Sequence, residues 1–118
     1  MKVIAFDQST RITGFSIFVD GQYFRSSVIN LSKIKDTDER SREMGIAICK
    51  EISFNLPDVV IIEDVQNQSN STVALLARLQ GVVLGYCAAH NIRAEHFTEC
   101  NVLKVYLCCS MCQNSRTF

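Results

Sequence analysis

The sequence predicts an α/β domain in which three antiparallel strands precede a helix, a central strand, a second helix and a short outer strand. Three observations carry that expectation. Apolar runs at 3–6 and 15–19 flank a short polar turn, a helical apolar spacing starts after Asp36, and Val59-Val60-Ile61-Ile62 is an unbroken apolar run of the kind found in strands covered on both faces. At 118 residues and 47% hydrophobic, the chain is long enough for one domain with a real core and short for two.

The first hairpin joins Val3-Ile4-Ala5-Phe6 to Phe15-Ser16-Ile17-Phe18-Val19 across a turn holding Asp7, Ser9, Thr10 and Thr13, with Gly14 where the chain re-enters the second run. Asp7 therefore stands at the rim of the first strand. A lone carboxylate in an apolar setting costs several kcal/mol unless something neutralises it, so a cation or a phosphate-bound metal is the expected partner. Asp20-Gly21 is a two-residue hairpin turn, and residues 22–31 resume a strand pattern through Tyr23, Val28 and Ile29.

Asp36, with Glu39 three residues on, forms a capping box for a helix running to about Asn55. Met44, Ile48, Ile52 and Leu56, with Ala47 and Phe54 alongside, make its apolar face, and Glu39, Arg40, Arg42, Glu43 and Lys50 its water face. Leu56-Pro57-Asp58 stops the helix. The central strand that follows ends in Glu63-Asp64, a second carboxylate at a strand end and the candidate companion of Asp7; Asp64 points to the other face and is read as structural.

Residues 67–72 form a polar loop in which Ser71 or Thr72 caps the next helix. That helix, from Val73 to about His90, carries one charge, Arg78, and spreads its apolar side chains over more than one face, while Gly81 and Gly85 leave a smooth patch. Such a helix is covered on more than one side, and a second subunit is the expected cover, giving a homodimer through helix 73–89. A short strand over 91–97 follows, and Thr98 or Glu99 opens a last amphipathic piece through Val102, Leu103, Val105, Tyr106 and Leu107. Residues 108–118 are a Cys-rich tail with C-x-x-C at 109–112 but no second pair at zinc-site spacing, and are expected to be disordered.

Twelve basic and twelve acidic residues cancel, so nothing global attracts nucleic acid or acidic membranes and any polyanion site is local. The start of the chain shows no secretory signal, and the apolar region 73–89 is interrupted and falls short of the roughly 20 residues of a membrane span. The expectation is a cytoplasmic protein with no membrane partner and its six cysteines reduced.

Hard oxygen ligands at a rigid sheet edge suit Mg²⁺, which keeps several waters and takes one or two carboxylates with substrate phosphate oxygens. Asp7 and Glu63 would serve, although a pair of ions about 3.5–4 Å apart asks for more than two carboxylates. The structural alternatives are a turn carboxylate accepting hydrogen bonds from Ser9 or Thr10, and a solvated strand end at Glu63. Ser9, Thr10 and Thr13 could equally orient phosphate or simply close the turn. His90 and His96 are isolated surface residues.

Phe6-Asp7-Gln8-Ser9-Thr10-Arg11-Ile12-Thr13-Gly14 resembles the opening motif of RuvC-type Holliday junction resolvases. Ile61-Ile62-Glu63-Asp64-Val65 is similar to their second acidic motif, and Leu76-Ala77-Arg78-Leu79-Gln80-Gly81-Val82 to their central helix. The match runs in order over about residues 2–107. It implies a ribonuclease H-like mixed five-stranded sheet over 1–107, truncated at its C-terminal end, and a Mg²⁺-dependent (or Mn²⁺-dependent) endonuclease acting on branched DNA in DNA recombination and repair. Asp7 and Glu63 would be its catalytic metal ligands and Lys104 a DNA contact; Arg78, Ser9 and Thr10 are further candidates for DNA contact on their residue types and places in the chain. A bacterial, phage or other viral origin fits that family.

The pattern departs from the family where Gln66 replaces a frequent aromatic residue and after Glu99, beyond which no Asp or Glu follows. An incomplete metal site is therefore expected, with a catalytically silent nucleic-acid-binding or dimerisation module of the same fold as the alternative. Actin-like and sugar-kinase folds share the Asp-turn-Gly hairpin but need a second, Gly-rich phosphate loop, which is not found among the five glycines here.

Overall fold

The computed structural model describes residues 1–63 and 70–97. They form strands β1 (Lys2–Asp7), β2 (Ile12–Val19) and β3 (Gln22–Asn30), helix α1 (Thr37–Asn55), strand β4 (Val59–Glu63), helix α2 (Asn70–Ala89) and strand β5 (Arg93–Phe97). The strands make one five-stranded sheet in the order β3-β2-β1-β4-β5. β1, β2 and β3 are antiparallel neighbours, whereas β4 joins β1, and β5 joins β4, in parallel. The mixed α/β sheet expected from the sequence is thus the one observed. Asp20 and Gly21 both have positive φ, 52° and 78°, the hairpin turn whose twist matches that of the flanking strands.

Both helices cover one face. Ile4 and Phe6 of β1, Phe15 and Ile17 of β2, and Val60 and Ile62 of β4 pack with Met44, Ile48 and Ile52 of α1 and with Leu79, Val83 and Cys87 of α2 in one buried cluster. The alternate residues Ala5, Val59 and Ile61, with Val3, form a second cluster on the other face. β1 and β4 are thus apolar on both sides, which is why 59–62 reads as an unbroken apolar run. The helices approach each other closely at Gly45, where an added Cβ would lie 3.1 Å from Val82 Cγ1; a larger residue there would push them apart.

α1 starts as its sequence predicts, with the Asp36 carboxylate accepting from the Glu39 N–H at 3.1 Å. Its far end differs. Leu56 and Phe54, which the spacing puts on the apolar face, are 77% and 80% exposed: Phe54 stands on the outward side of α1, and because the helix stops at Asn55, Leu56 turns out of it with φ 49°, donating its N–H to the Ile52 carbonyl at 3.0 Å. Pro57 cannot continue the helix, and the 3.6-residue spacing was extended one step too far. A left-handed backbone costs a residue with a Cβ about 1–2 kcal/mol, and here an exposed Leu bears it. Leu56→Gly is accordingly expected to raise stability by about 0.5–1 kcal/mol, after the entropy of the added glycine is offset; an unchanged or lower urea midpoint would refute this.

Arg40, assigned to the water face, is buried, and its guanidinium donates to the Ile34 carbonyl at 3.1 Å, tying the preceding loop to α1. α2 begins at Asn70, so Ser71 and Thr72 lie within the helix and are not its caps. β5 begins at Arg93, not at 91, because Asn91, at φ 55°, terminates α2 while the Ile92 N–H bonds to the Cys87 carbonyl at 2.8 Å. Asp64, Gln66, Lys104, the amphipathic piece at 98–107 and the tail at 108–118 lie outside the described residues.

Candidate active site

The parallel pairing of β1 with β4 determines where the two acids stand. Phe6 is registered with Ile62, and each strand ends one residue later, at Asp7 and Glu63. Phe6 and Ile62 both face the helices. Successive side chains alternate, so Asp7 and Glu63 share the opposite face, in line with Ala5 and Ile61, on strands about 4.8 Å apart. Two acidic residues far apart in sequence therefore stand at one rim, on one face and on adjacent strands.

Asp7 is exposed, and its carboxylate has no hydrogen-bond or ion-pair partner among the described residues. The desolvation argument for a compulsory cation does not apply at this position, since water reaches the group. On its other flank Asp7 is paired with Gly14 of β2, and among the described residues nothing lies within 4 Å of where a Gly14 Cβ would be. The strand neighbour of Asp7 thus carries no side chain beside the acid. Glu63 is half-buried, and its main-chain carbonyl accepts a hydrogen bond from the Gln80 side-chain amide of α2.

The turn after Asp7 is built on Thr13, which is fully buried. Its hydroxyl donates to the Ser9 carbonyl at 2.8 Å and accepts from the Ser9 N–H at 3.2 Å. The Ser9 hydroxyl accepts from the Arg11 N–H at 3.3 Å. Ser9 is therefore engaged in closing the turn, and no bond from Ser9 or Thr10 to the Asp7 carboxylate occurs among the described residues. Arg78 lies in the helical layer, exposed, with its guanidinium 4.0 Å from the Asp38 carboxylate in the first turn of α1. An exposed pair of that length is worth about 0–1 kcal/mol and leaves Arg78 able to exchange partners.

His90 is exposed and stacks on Tyr86, ring centroids 4.2 Å apart. His96 is registered with Ile62 and so belongs to the helix-side face. Burial pushes the thiols of Cys49 and Cys87 above the ordinary cysteine range, so both stay protonated at neutral pH and make poor nucleophiles or soft metal ligands.

Among the described residues, no three His, Cys, Asp or Glu side chains come together as a metal cluster. The donor set fits one hard divalent ion: two carboxylate groups on adjacent strand ends match the one or two protein carboxylates that Mg²⁺ takes while keeping its waters. It does not by itself fit two ions.

No family model matches the chain. It is 26% identical over 108 residues to the crossover junction endodeoxyribonuclease RuvC of Caldicellulosiruptor saccharolyticus, a match covering 86% of this chain and 65% of that protein. The chain thus spans a little under two thirds of that relative's length. Among solved structures, Thermus thermophilus RuvC in complex with a Holliday junction substrate superposes with a TM-score of 0.73 at 14% identity, covering 88% of this chain and 68% of the other. A further Thermus thermophilus RuvC structure gives a TM-score of 0.64 at 17% identity, over 83% and 64% of the two chains. The Fowlpox virus resolvase, in complex with Holliday junction DNA, gives 0.62 at 13% identity, over 83% and 60%. At these identities the superpositions establish the fold, and the sequence match supplies the likeness of family. The chain is RuvC-like: it resembles the RuvC-type Holliday junction resolvases in sequence over most of its length and has their ribonuclease H-like fold.

Proposed function

We propose that the chain is a RuvC-like resolvase domain that cleaves phosphodiester bonds in branched DNA with the help of Mg²⁺, Mn²⁺ being able to substitute. The observation that carries this reading is the placement of Asp7 and Glu63 on one face at the ends of adjacent parallel strands, in a fold otherwise seen bound to Holliday junction DNA. When held by these two side chains, the ion supplies Lewis-acid charge to the scissile phosphate. The protein's own part is positioning. Asp7 and Glu63 supply the negative charge that holds the ion, and Gly14, the strand partner of Asp7, puts no side chain in the way of a DNA backbone on the Asp7 flank.

Electrostatics adds a condition. The chain has no net charge, and a bare acid pair repels phosphate, so DNA contacts must come from local cations. Arg78 and Lys104 are proposed in that role, with Ser9 and Thr10 near the scissile strand. Among the described residues no helix is long and apolar enough to cross a membrane.

Cutting symmetrically related strands needs two sites, and the outer surface of α2 is proposed to bring them together in a homodimer through residues 73–89. Ala77, Gly81, Val82 and Gly85 are exposed there, and among the described residues nothing lies within 4 Å of where a Cβ at Gly81 or Gly85 would be. Gly85→Glu tests this surface, because replacing a helical glycine adds about 0.5–1 kcal/mol of stability and so separates dissociation from unfolding. By sedimentation at micromolar concentration the wild type is expected to be a dimer and Gly85→Glu a monomer with an equal or higher melting temperature. A monomeric wild type, or a variant that stays dimeric, would remove the proposed interface.

The activity itself is tested with a synthetic four-way junction, a linear duplex of the same sequence, and Mg²⁺ or Mn²⁺. Expected is cutting of the junction and not of the duplex, abolished by EDTA. Junction binding without cutting in either metal would favour the silent binding module, and no binding would dismiss both.

A further inference from the structure

Gln80 is an amide on the otherwise apolar, sheet-facing side of α2, half-buried between the fully buried Leu79 and Val83 positions. A buried polar group is tolerated where its hydrogen-bonding capacity is met. The Gln80 Nε2 meets it by donating to the main-chain carbonyl of Glu63.

We infer that Gln80 is a positioning residue for the acid pair, an inference resting on the reading of Asp7 and Glu63 as ion ligands. Glu63 is the last residue of β4, and the Gln80 amide reaches its carbonyl from α2. The orientation of its carbonyl defines ψ at Glu63. Below it, Ile62 is fully buried and cannot shift. With Ile62 packed and the carbonyl held, the backbone at Glu63 is restrained, and with it the Cα–Cβ direction from which the carboxylate is presented beside Asp7. α2 thus acts from the helix side of the sheet on a carboxylate belonging to the other face. Mg²⁺ demands near-octahedral geometry at about 2.0–2.1 Å, so small displacements of a ligand matter. Gly81 and Val82, next along the helix, are exposed on its outer surface, and a contact made there bears directly on the residue that holds Glu63.

The test is Mn²⁺ affinity, read by electron paramagnetic resonance of the free ion, beside the melting temperature. Gln80→Met keeps length and apolar packing but has no N–H donor, and Gln80→Asn is one methylene too short to reach. Both are expected to weaken Mn²⁺ binding on the order of tenfold, as outer-shell partners of ligands do, with melting temperatures near wild type. Cys87→Ala, which trims buried α2 packing away from the rim, is expected to lower the melting temperature and leave Mn²⁺ affinity unchanged. Wild-type Mn²⁺ affinity in Gln80→Met, equal weakening in Cys87→Ala, or failure of both Gln80 variants to fold would overturn the inference. Loss of Mn²⁺ in Asp7→Asn with none in the Gln80 variants sinks the role of Gln80 alone; equal Mn²⁺ behaviour of wild type and Asp7→Asn sinks the acid pair and this inference together.

Discussion

Asp7→Asn is expected to lower Mg²⁺-dependent cutting of a four-way junction by on the order of 10²-fold or more, about 2.7 kcal/mol of lost transition-state stabilisation. The substitution keeps the shape of the side chain and removes its charge, leaving a neutral carbonyl oxygen that holds a hard cation poorly. Because Asp7 is exposed and its carboxylate has no partner among the described residues, the fold loses nothing by the change, and the melting temperature should stay within about 2 °C of wild type. Junction binding measured in EDTA should hold or tighten, since one repulsive charge facing phosphate is gone. This combination, lost cutting with retained folding and binding, separates a ligand from a structural carboxylate. Glu63→Gln should behave alike, and the double variant should cost little more than either single one, because both act through the same ion. Equal cutting by wild type and Asp7→Asn would take Asp7 out of catalysis, and a multiplicative double variant would show that the two acids do not share a cation.

What could be read in advance followed from local rules and from periodicity. The Asp20-Gly21 turn, the Asp36 cap and the apolar run at 59–62 each have a short-range cause, and each stands where it was expected. The positions of Asp7 and Glu63 at strand ends were legible because both residues close apolar strands; that they share a face follows from the parallel register, which no local pattern encodes. The misreadings have tertiary causes. Arg40 has the composition of a water-facing residue, yet the loop before α1 folds back over it and supplies the Ile34 carbonyl as its partner. Leu56 continues the helical spacing but is turned outward by the exit into Pro57. Gln80 enters the sequence pattern only within the stretch 76–82 that resembles the family's central helix. Its signal was present nonetheless, since a polar side chain among buried neighbours requires a partner, and here the partner lies on the strand that ends in the candidate acid.

Phe6→Ala is expected to have the largest effect on stability, about 3–5 kcal/mol. Phe6 is 2% exposed and sits at the centre of the helix-side cluster, its ring centroid 5.6 Å from that of Phe15 at a tilt of 44°. Removing the ring loses its transfer free energy and leaves a cavity between β1, β2 and the helices, which a sheet pinned on both sides of β1 cannot readily close. Domains of this size have about 5–15 kcal/mol in all, so the loss should lower the melting temperature by on the order of 10–20 °C. Phe24→Ala is the control, deleting the same group where it is 64% exposed, with an expected change within about 0.5 kcal/mol. The comparison also bears on the site. Phe6 immediately precedes Asp7 and is registered with Ile62, the residue before Glu63, so the same contact that stabilises the fold sets the level at which both acids emerge. In Phe6→Ala, examined below its lowered melting temperature, Mn²⁺ affinity should fall, whereas Phe24→Ala should bind the ion as wild type does. Comparable destabilisation by the two substitutions, or wild-type ion affinity in folded Phe6→Ala, would show that this core contact does not hold the acid pair in place.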